Sequence, residues 1–280
     1  MTEFLANTAV PDIQTDLNVA PYYDDYAPEK NYHRILFKPL AGVQARELTQ
    51  MQTIINRDMA TIGSHLFQEG ARVKGGQWRL DKNANYVRVA DLNISANTVN
   101  VNNFIATEIV GQTSNVAAVV IRAEDGQEAS LPDTKTLIIK YTRSGSGGTV
   151  KTFLPGEVIL SNSGFNATIL AANTAIGNAS YLTMDNGSFF IKGFPINFTA
   201  NSITVGKNTN TPTARVGLLS NEVIVSSEED STLDDNATGF PNYAAPGADR
   251  LQITTELAVY ADGETPANNF IELLSLINGM

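Results

Sequence analysis

The pattern of apolar residues changes once along the chain, at Gly70, and this change limits the folds open to it. After Gly70, short runs of alternating apolar and polar residues are broken about every ten residues by Gly, Asn, Asp or Pro, which is typical of antiparallel β-structure. Before Gly70, apolar residues instead recur at helical spacing. The sequence therefore predicts an α+β fold that is mostly antiparallel β.

Strands and turns can be placed within this pattern. The clearest strand-like runs are residues 85–89, 98–101, 116–121, 136–141 and 203–205. The tetrapeptide Asp185–Ser188 contains Asn-Gly between two apolar runs and predicts a tight β-hairpin, because Asn-Gly readily adopts positive φ angles. No repeat of fixed period is present, so we do not expect a β-helix or a propeller.

One long helix is predicted between Val43 and Phe67. Its apolar side chains are spaced three or four residues apart and form a narrow stripe: Leu48, Met51, Ile55, Met59, Ile62 and Leu66. The stripe repeats every eleven residues, as from Leu48 to Met59. This repeat is typical of a nearly straight or slightly right-handed helical bundle. Such a stripe is either a coiled-coil seam or the face of a helix packed on a sheet. We expect it to form an oligomer interface.

Residues 1–40, which we name the aromatic arm, precede the helix. Four prolines prevent a continuous helix there. The arm is rich in aromatic residues, which disordered tails usually lack: Tyr22, Tyr23, Tyr26, Tyr32 and Phe37. The sequence therefore predicts an extended segment that packs either on its own domain or on a partner, and we interpret these five residues as partner-binding.

Residues 226–250, which we name the acidic loop, connect two strand-like regions. Long loops in compact domains are usually functional or used in packing. We expect a packing role, in which Tyr243 is buried, prolines stiffen the chain and Arg250 pairs with nearby acids. The residues assigned to this role are Asp234, Asp235, Tyr243, Pro246 and Arg250. The loop resembles a calcium loop in composition but lacks the alternating acidic register, so calcium binding stays open as the lesser alternative.

Composition argues against several classes of function. The chain has no Cys, which excludes disulfides, thiolate metal sites and cysteine nucleophiles. A net charge of −10 disfavours nucleic acid and anionic membrane surfaces as partners. His33 and His65 lack metal-ligand spacing, and no serine-hydrolase nucleophile motif occurs. We expect neither a signal peptide nor a membrane-spanning segment. The prediction is a non-enzymatic protein without cofactor or metal.

Two stretches carry a family resemblance. Residues 31–55, NYHRILFKPLAGVQARELTQMQTII, resemble a signature that commonly reads YHRILFRPG-x-AVQARELTQLQTI, with Leu40 in place of the usual Gly. Residues 216–253 are similar to an acidic loop ending in NYAAPGA-x-R. In both stretches the chain resembles a phage and prophage family of domains of unknown function. A third stretch, residues 110–121, resembles a small β-module of several baseplate proteins, with Asn115 at a position that is usually Gly.

The resemblance implies a biological setting. Members of the family look like virion structural proteins, namely baseplate-wedge or tail-fibre components of T-even-like phages and cyanophages. The resemblance therefore implies that this protein is a structural protein of the virion, synthesised and assembled in the host cytoplasm. Its partners would be other baseplate or tail-fibre proteins and copies of itself, with a homotrimer favoured.

Two other functions remain open. The first is a receptor-binding module that recognises host surface glycan, which should present exposed Trp and Tyr platforms, although Trp78 is the only Trp. The second is an enzyme that degrades host polysaccharide.

The predicted domain organisation follows these segments. The arm is followed by an oligomerisation helix within residues 41–69. A main β-domain consists of residues 70–108 and 177–261, and a small β-module at 109–176 is inserted into it. Residues 262–280 form an apolar C-terminal element that could lead into a longer fibre.

Overall fold

The computed structural model describes residues 13–126 and 134–280. Within these ranges the protein has one α-helix and fourteen β-strands, and every strand pairing is antiparallel. The predicted α+β class dominated by antiparallel sheet is therefore confirmed. Residues 1–12 of the aromatic arm and residues 127–133 of the predicted module lie outside the described ranges.

The elements run in the following order along the chain: α1 (Ala45–Leu66), β1 (Arg72–Gly75), β2 (Trp78–Arg88), β3 (Glu108–Gly111), β4 (Ala117–Glu124), β5 (Thr136–Arg143), β6 (Val158–Ser161), β7 (Asn166–Thr168), β8 (Ile176–Met184), β9 (Gly187–Ile191), β10 (Phe194–Phe198), β11 (Asn201–Gly206), β12 (Ala214–Val225), β13 (Arg250–Ala261) and β14 (Phe270–Leu276).

The strands form three sheets in the described residues. The largest has eight strands in the order β11-β8-β2-β5-β4-β3-β6-β7. The two others have three strands each, in the orders β1-β9-β10 and β13-β12-β14. In the last of these, Leu218 of β12 lies opposite Leu257 of β13 and Ile271 of β14. The C-terminal element at 262–280 thus supplies an edge strand to this sheet.

The helix begins and ends close to the predicted positions. It starts at Ala45, where Gln44 and Glu47 form a reciprocal capping box. The backbone N–H of Gln44 donates to the Glu47 carboxylate at 2.9 Å. The helix ends at Leu66, and Gly70 follows with φ of +78°.

The hairpin predicted at Asp185–Ser188 is wrong. β8 pairs with β2 and β11, whereas β9 pairs with β1 and β10, so the chain passes there from one sheet to another. Gly187 is needed for close approach: a Cβ at this position would lie 2.3 Å from the backbone nitrogen of Gly76.

The tight hairpin lies six residues later in the chain than expected, between β9 and β10. Lys192 and Gly193 make its turn, with φ angles of 51° and 84°. Two successive positive φ angles match the right-handed twist of the paired strands.

Four of the five predicted strand runs overlap β2, β4, β5 and β11. The exception is the run at 98–101, which leads into a short 3₁₀ turn at Val101–Phe104. Val99, Val101 and Phe104 are nevertheless buried in the core. Apolar residues at this spacing fit a buried turn as well as they fit a strand, so the sequence pattern alone does not distinguish the two.

Two large apolar cores hold the sheets together. The first lies on one side of the eight-stranded sheet and includes Val87, Phe104, Ile109 and Ile139. The second lies between the smaller sheets and the end of β8, and its buried members are Leu182, Met184, Phe189, Ile191, Phe198, Val216, Leu218, Leu257 and Leu276.

The sheet is continuous across the predicted boundary at residue 109. Asn85 of β2 pairs with Ile139 of β5, so a strand of the main β-domain lies directly beside a strand of the module. Phe104 and Ile109, on either side of the boundary, share one core. The division into a main domain and an inserted module stays a prediction.

Candidate interaction surface

The predicted stripe on α1 faces outward. Its six side chains are between 39% and 73% exposed: Leu48, Met51, Ile55, Met59, Ile62 and Leu66. Only Ile54 and Ala60 are buried along the helix. Since an amphipathic helix usually packs its apolar face on the core, the orientation of α1 is the reverse of the ordinary one.

The face of α1 opposite the stripe carries the buried Ile54 and Ala60 and makes polar contacts with residues 24 and 25 of the aromatic arm. The hydroxyl of Thr53 donates to Asp24 at 2.5 Å, and the Asp24 side chain is buried. The Gln50 amide and the Arg46 guanidinium both donate to Asp25, at 3.0 and 3.1 Å. These hydrogen bonds fix the rotation of the helix with its stripe toward solvent.

The C-terminal part of α1 rests on the β9 strand. A Cβ at Gly63 would lie 2.7 Å from the ring of Phe190, so only glycine lets the helix approach this closely. The ring of Phe67 lies 5.7 Å from the same ring, between centroids. The helix is thereby attached to the body along a small area while its stripe stays uncovered.

The structure divides the aromatic residues of the arm into two groups. Tyr22 and Tyr26 are half-buried against the protein's own body. The Tyr22 hydroxyl donates to the Asp249 carboxylate at 2.5 Å, and this hydrogen bond, with burial, raises the pKa of Tyr22 above its usual range. Tyr23, Tyr32 and Phe37 are exposed.

A buried ion pair anchors the start of the described arm, and no sequence pattern indicates it. Lys192 donates to the Glu222 carboxylate, and their side chains are only 9% and 4% exposed. Glu222 also accepts from the backbone of Gln14 at 2.9 Å and of Thr15 at 2.7 Å. The pair lies in a cleft of about 400 Å³ also lined by Asn269.

The hydrogen bonds to Glu222 determine its protonation. Burial alone would raise its pKa, but the bonds from Gln14, Lys192 and Thr15 outweigh burial and leave the pKa of Glu222 lowered. The carboxylate is therefore a charged structural anchor, which is poorly suited to taking up a proton near neutral pH.

The acidic loop projects from the β12–β13 pair with an internally bonded backbone. The N–H of Asp235 donates to the Ala245 carbonyl at 2.9 Å, and the N–H of Ala244 donates to the Asp235 carbonyl at 2.8 Å. Residues 238–250 are all exposed. Pro246 lies in this exposed part, whereas Asp234 and Asp235 are half-buried.

Two expectations about this loop are wrong. Tyr243 is 56% exposed and is not buried against the β-domain. Arg250 donates to the carbonyls of Ala248 and Asp249, at 2.6 and 3.3 Å, and among the described residues it pairs with none of the acids. The backbone hydrogen bonds shape the loop without either contact.

Metal binding finds no support in the described part of the chain, which contains no group of three or more His, Asp or Glu side chains placed to hold an ion. In the same part, no helix has the length and apolarity needed to cross a membrane.

A second polar cluster lies at the start of β2. The Asp81 carboxylate accepts from the Lys140 ammonium at 2.6 Å and from the Tyr181 hydroxyl at 3.3 Å. Burial opposes ionisation of Asp81, but these bonds and one from the Asn83 backbone leave its pKa lowered. The hydrogen bond to Asp81 raises the pKa of Lys140. Both groups are thus held in their charged forms, an arrangement that does not favour acid–base catalysis at neutral pH.

Trp78 is at the first position of β2, three residues before Asp81. Its side chain is 45% exposed. The cleft of about 560 Å³ at the Asp81 cluster is lined by Asp81, Lys82, Tyr181 and Thr183 among others, and Trp78 does not line it. An exposed Trp is a feature that a glycan-binding protein would use.

The chain matches the family described as "Domain of unknown function (DUF4815)" over residues 20–124 and 160–280. These two ranges make up most of its length. The chain belongs to this family. The comparison with curated proteins found no match, and neither did the comparison with solved structures.

The DUF4815 match includes the surface features described above. Its first range contains the exposed half of the aromatic arm and all of α1, and its second range contains the acidic loop and the Lys192–Glu222 pair. The unmatched residues 125–159 contain β5 and lie within the predicted β-module.

Proposed function

We propose that this DUF4815 protein is a structural protein that acts by assembling with copies of itself through α1. The observation that carries the proposal is the reversed orientation of the helix, which holds its polar face inward and its six apolar side chains outward. Monomeric proteins rarely expose a continuous apolar strip of this kind, and such strips mark interaction sites.

The physical gain from covering the stripe is large. A helix of 22 residues is about 33 Å long, and the stripe runs from its first turn to its last. Each of these side chains contributes about 1.5–3 kcal/mol when fully buried. Self-association removes the whole stripe from water without rearranging the body of the protein.

The shape of the stripe favours identical helices as its partner. It is narrow, and its repeat from Leu48 to Met59 keeps the apolar residues aligned along a nearly straight helix. Three parallel copies around a common axis would each present the same stripe to the centre, as in a coiled coil. We therefore favour a homotrimer.

The biological setting of the proposal rests on the resemblance in residues 31–55 and 216–253. On this basis the protein is a virion component of a tailed phage that anchors a baseplate or tail-fibre element, without catalytic activity. The extended arm, the helix and a β-domain with an inserted module would form the anchor. Its partners would be neighbouring baseplate or tail-fibre proteins.

Recognition of host surface glycan is the second candidate, and the exposed side chain of Trp78 favours it. A glycan array with the wild-type chain and Trp78→Ala separates the two functions. Binding that Trp78→Ala abolishes would support the glycan module, and absence of binding supports the structural protein.

Disulfide cross-linking tests the assembly proposal, because the chain contains no Cys of its own. Ile55→Cys places a thiol near the middle of the stripe, and Ser95→Cys places one at an exposed position far from the helix in sequence. Under mild oxidation we expect covalent dimers with Ile55→Cys only. Equal cross-linking of both variants, or none with Ile55→Cys, would overturn the helical interface.

A further inference from the structure

Residues 30–44, which we name the basic segment, form an exposed stretch between the anchored part of the arm and α1. They contain Lys30, Arg34 and Lys38 and no Asp or Glu. The segment contains neither helix nor strand after its first residue, and all its side chains but that of Ile35 are exposed. Its large apolar side chains are therefore exposed as well: Tyr32, Leu36, Phe37, Leu40 and Val43.

One backbone position in the basic segment is strained. Leu40 has φ of +67°, in the left-handed region, where a residue with a Cβ loses about 1–2 kcal/mol. Its side chain is fully exposed, so no contact with its own chain compensates for this conformation. Backbone strain of this kind is concentrated at functional and ligand-binding sites.

The acidic loop has the complementary properties. It carries Arg250 and six acidic residues: Glu228, Glu229, Asp230, Asp234, Asp235 and Asp249. Its tip exposes Phe240 (69%) and Tyr243. The loop therefore offers aromatic rings and negative charge on one projecting, internally bonded surface.

Among the residues that the structure describes, neither set of charges forms an ion pair within one chain. Among residues 13–126 and 134–280, no acidic oxygen lies within 4.0 Å of the charged nitrogens of Lys30, Arg34 or Lys38. The same set of ion pairs includes no acid of the acidic loop. Two exposed surfaces of opposite charge, each with exposed aromatic residues, are thus left without a partner.

We propose that the basic segment of one copy lies on the acidic loop of a neighbouring copy. This inference rests on the proposed self-assembly and adds a second contact to it. A chain of net charge −10 repels its copies, and the basic segment is a cationic stretch able to approach the loop. Because each copy supplies one segment and one loop, the contact can repeat head-to-tail around a closed ring, as a trimer around α1 would require.

A charge exchange on the full-length chain tests the contact. The first variant, Arg34→Glu with Lys38→Glu, reverses the charge of the basic segment. The second, Glu228→Lys with Asp234→Lys, reverses part of the charge of the acidic loop. The matched control, Arg72→Glu with Lys74→Glu, makes the same charge change as the first variant on the exposed strand β1. Subunit exchange between ¹⁵N-labelled and unlabelled assemblies is followed by native mass spectrometry.

Each reversal should speed exchange by roughly tenfold at low salt, equivalent to a loss of about 1.4 kcal/mol. The chain carrying both reversals should return to within about threefold of wild type, and the β1 control should not change. The contact would be overturned if each single reversal exchanged subunits at the rate of the β1 control. It would also be overturned if the chain with both reversals exchanged as fast as the single reversals.

Carbodiimide cross-linking of the same mixed assemblies identifies the partner directly. We expect links from Lys30 or Lys38 to acids of the loop in peptides that join a labelled chain to an unlabelled one. Links confined to one chain would contradict the contact between neighbours. Links only to a different protein added from a phage lysate would also contradict it.

The two proposals fail in different ways. If the wild-type chain is a monomer, both are wrong. If the helical disulfides form but the charge exchange has no effect, only the contact between segment and loop is wrong. If Ile55→Cys does not cross-link while the charge exchange and the carbodiimide links behave as expected, the helical interface is wrong and the contact stands.

Discussion

The hydroxyl of Thr53 donates a 2.5 Å hydrogen bond to the buried carboxylate of Asp24, 29 residues earlier in the chain. This bond joins the polar face of α1 to the arm. The inward face of the helix therefore combines this polar contact with the buried Ile54 and Ala60, and the hydrophobic stripe is left for contacts outside the chain.

Replacing Asp24 by Ala should loosen the helix. The change leaves the Tyr26 N–H without its acceptor and leaves the Thr53 hydroxyl with only the Thr49 carbonyl, at 3.4 Å, and such a loss costs about 1–3 kcal/mol. Urea unfolding measures the free energy, and hydrogen exchange shows whether protection falls in α1 first. Gln50→Ala, which removes an exposed contact with Asp25, is the control and should change stability by less than about 0.5 kcal/mol. Equal effects of both would show that the buried bond has no special role.

The Lys192–Glu222 pair predicts a dependence of stability on pH. The pKa of Glu222 in the folded protein is lower than its ordinary value. As the pH falls through the ordinary pKa, the unfolded chain therefore takes up a proton at Glu222 before the folded protein does. The stabilisation is therefore complete at neutral pH and is lost as the pH falls toward the folded pKa.

The variant Glu222→Gln isolates this contribution. At pH 7 it should destabilise the protein by about 3 kcal/mol, because Lys192 is left buried without its counter-charge. Its unfolding free energy in urea should also fall less steeply than that of wild type between pH 5 and pH 3. Parallel pH curves for the two proteins would contradict the lowered pKa.

Substitutions at Leu40 separate backbone strain from contact. Leu40→Gly should remove the strain of the left-handed φ, while Leu40→Ala keeps it and removes only the side chain. Both should speed subunit exchange, and Leu40→Gly should raise the unfolding free energy of the isolated chain by at most about 1 kcal/mol, whereas Leu40→Ala should leave it unchanged. If Leu40→Ala exchanges at the wild-type rate, Leu40 makes no contact with a neighbour.

Calcium should have little effect on the acidic loop. The loop is held by backbone hydrogen bonds such as Asp235 to Ala245, and the described residues contain no group of three acids that could hold an ion. Thermal melts in calcium and in excess chelator should therefore agree within about 5 °C. A larger shift would favour an ion site over backbone hydrogen bonds as the feature that holds the loop.

The helix was predictable from sequence because its signal is local. Residues three and four apart share a face, so the spacing from Leu48 to Leu66 was enough to place α1. The covered face was not predictable, because it depends on Asp24, which approaches Thr53 only in the folded chain.

Contacts between distant residues account for the other differences. Lys192 and Glu222 are 30 residues apart, and nothing in either neighbourhood indicates the other. The Asn-Gly at residue 186 correctly marks a change of direction, but turn propensity does not determine which strands pair afterwards. Which strands pair is decided by the cores on which β8 and β9 pack.

The mass of the purified wild-type chain, compared with that of Ile55→Asp with Ile62→Asp, tests the central claim most directly. One chain has a mass of 30.1 kDa. Light scattering after size-exclusion chromatography should give three times this mass for wild type, and monomers or insoluble protein for the variant, because two carboxylates in a buried seam would be desolvated without partners. Thr98→Asp with Asn100→Asp, at exposed positions outside the helix, is the control and should keep the wild-type mass. A wild-type monomer, or a stripe variant that is soluble at its native oligomeric mass, would contradict the claim that this protein assembles through α1.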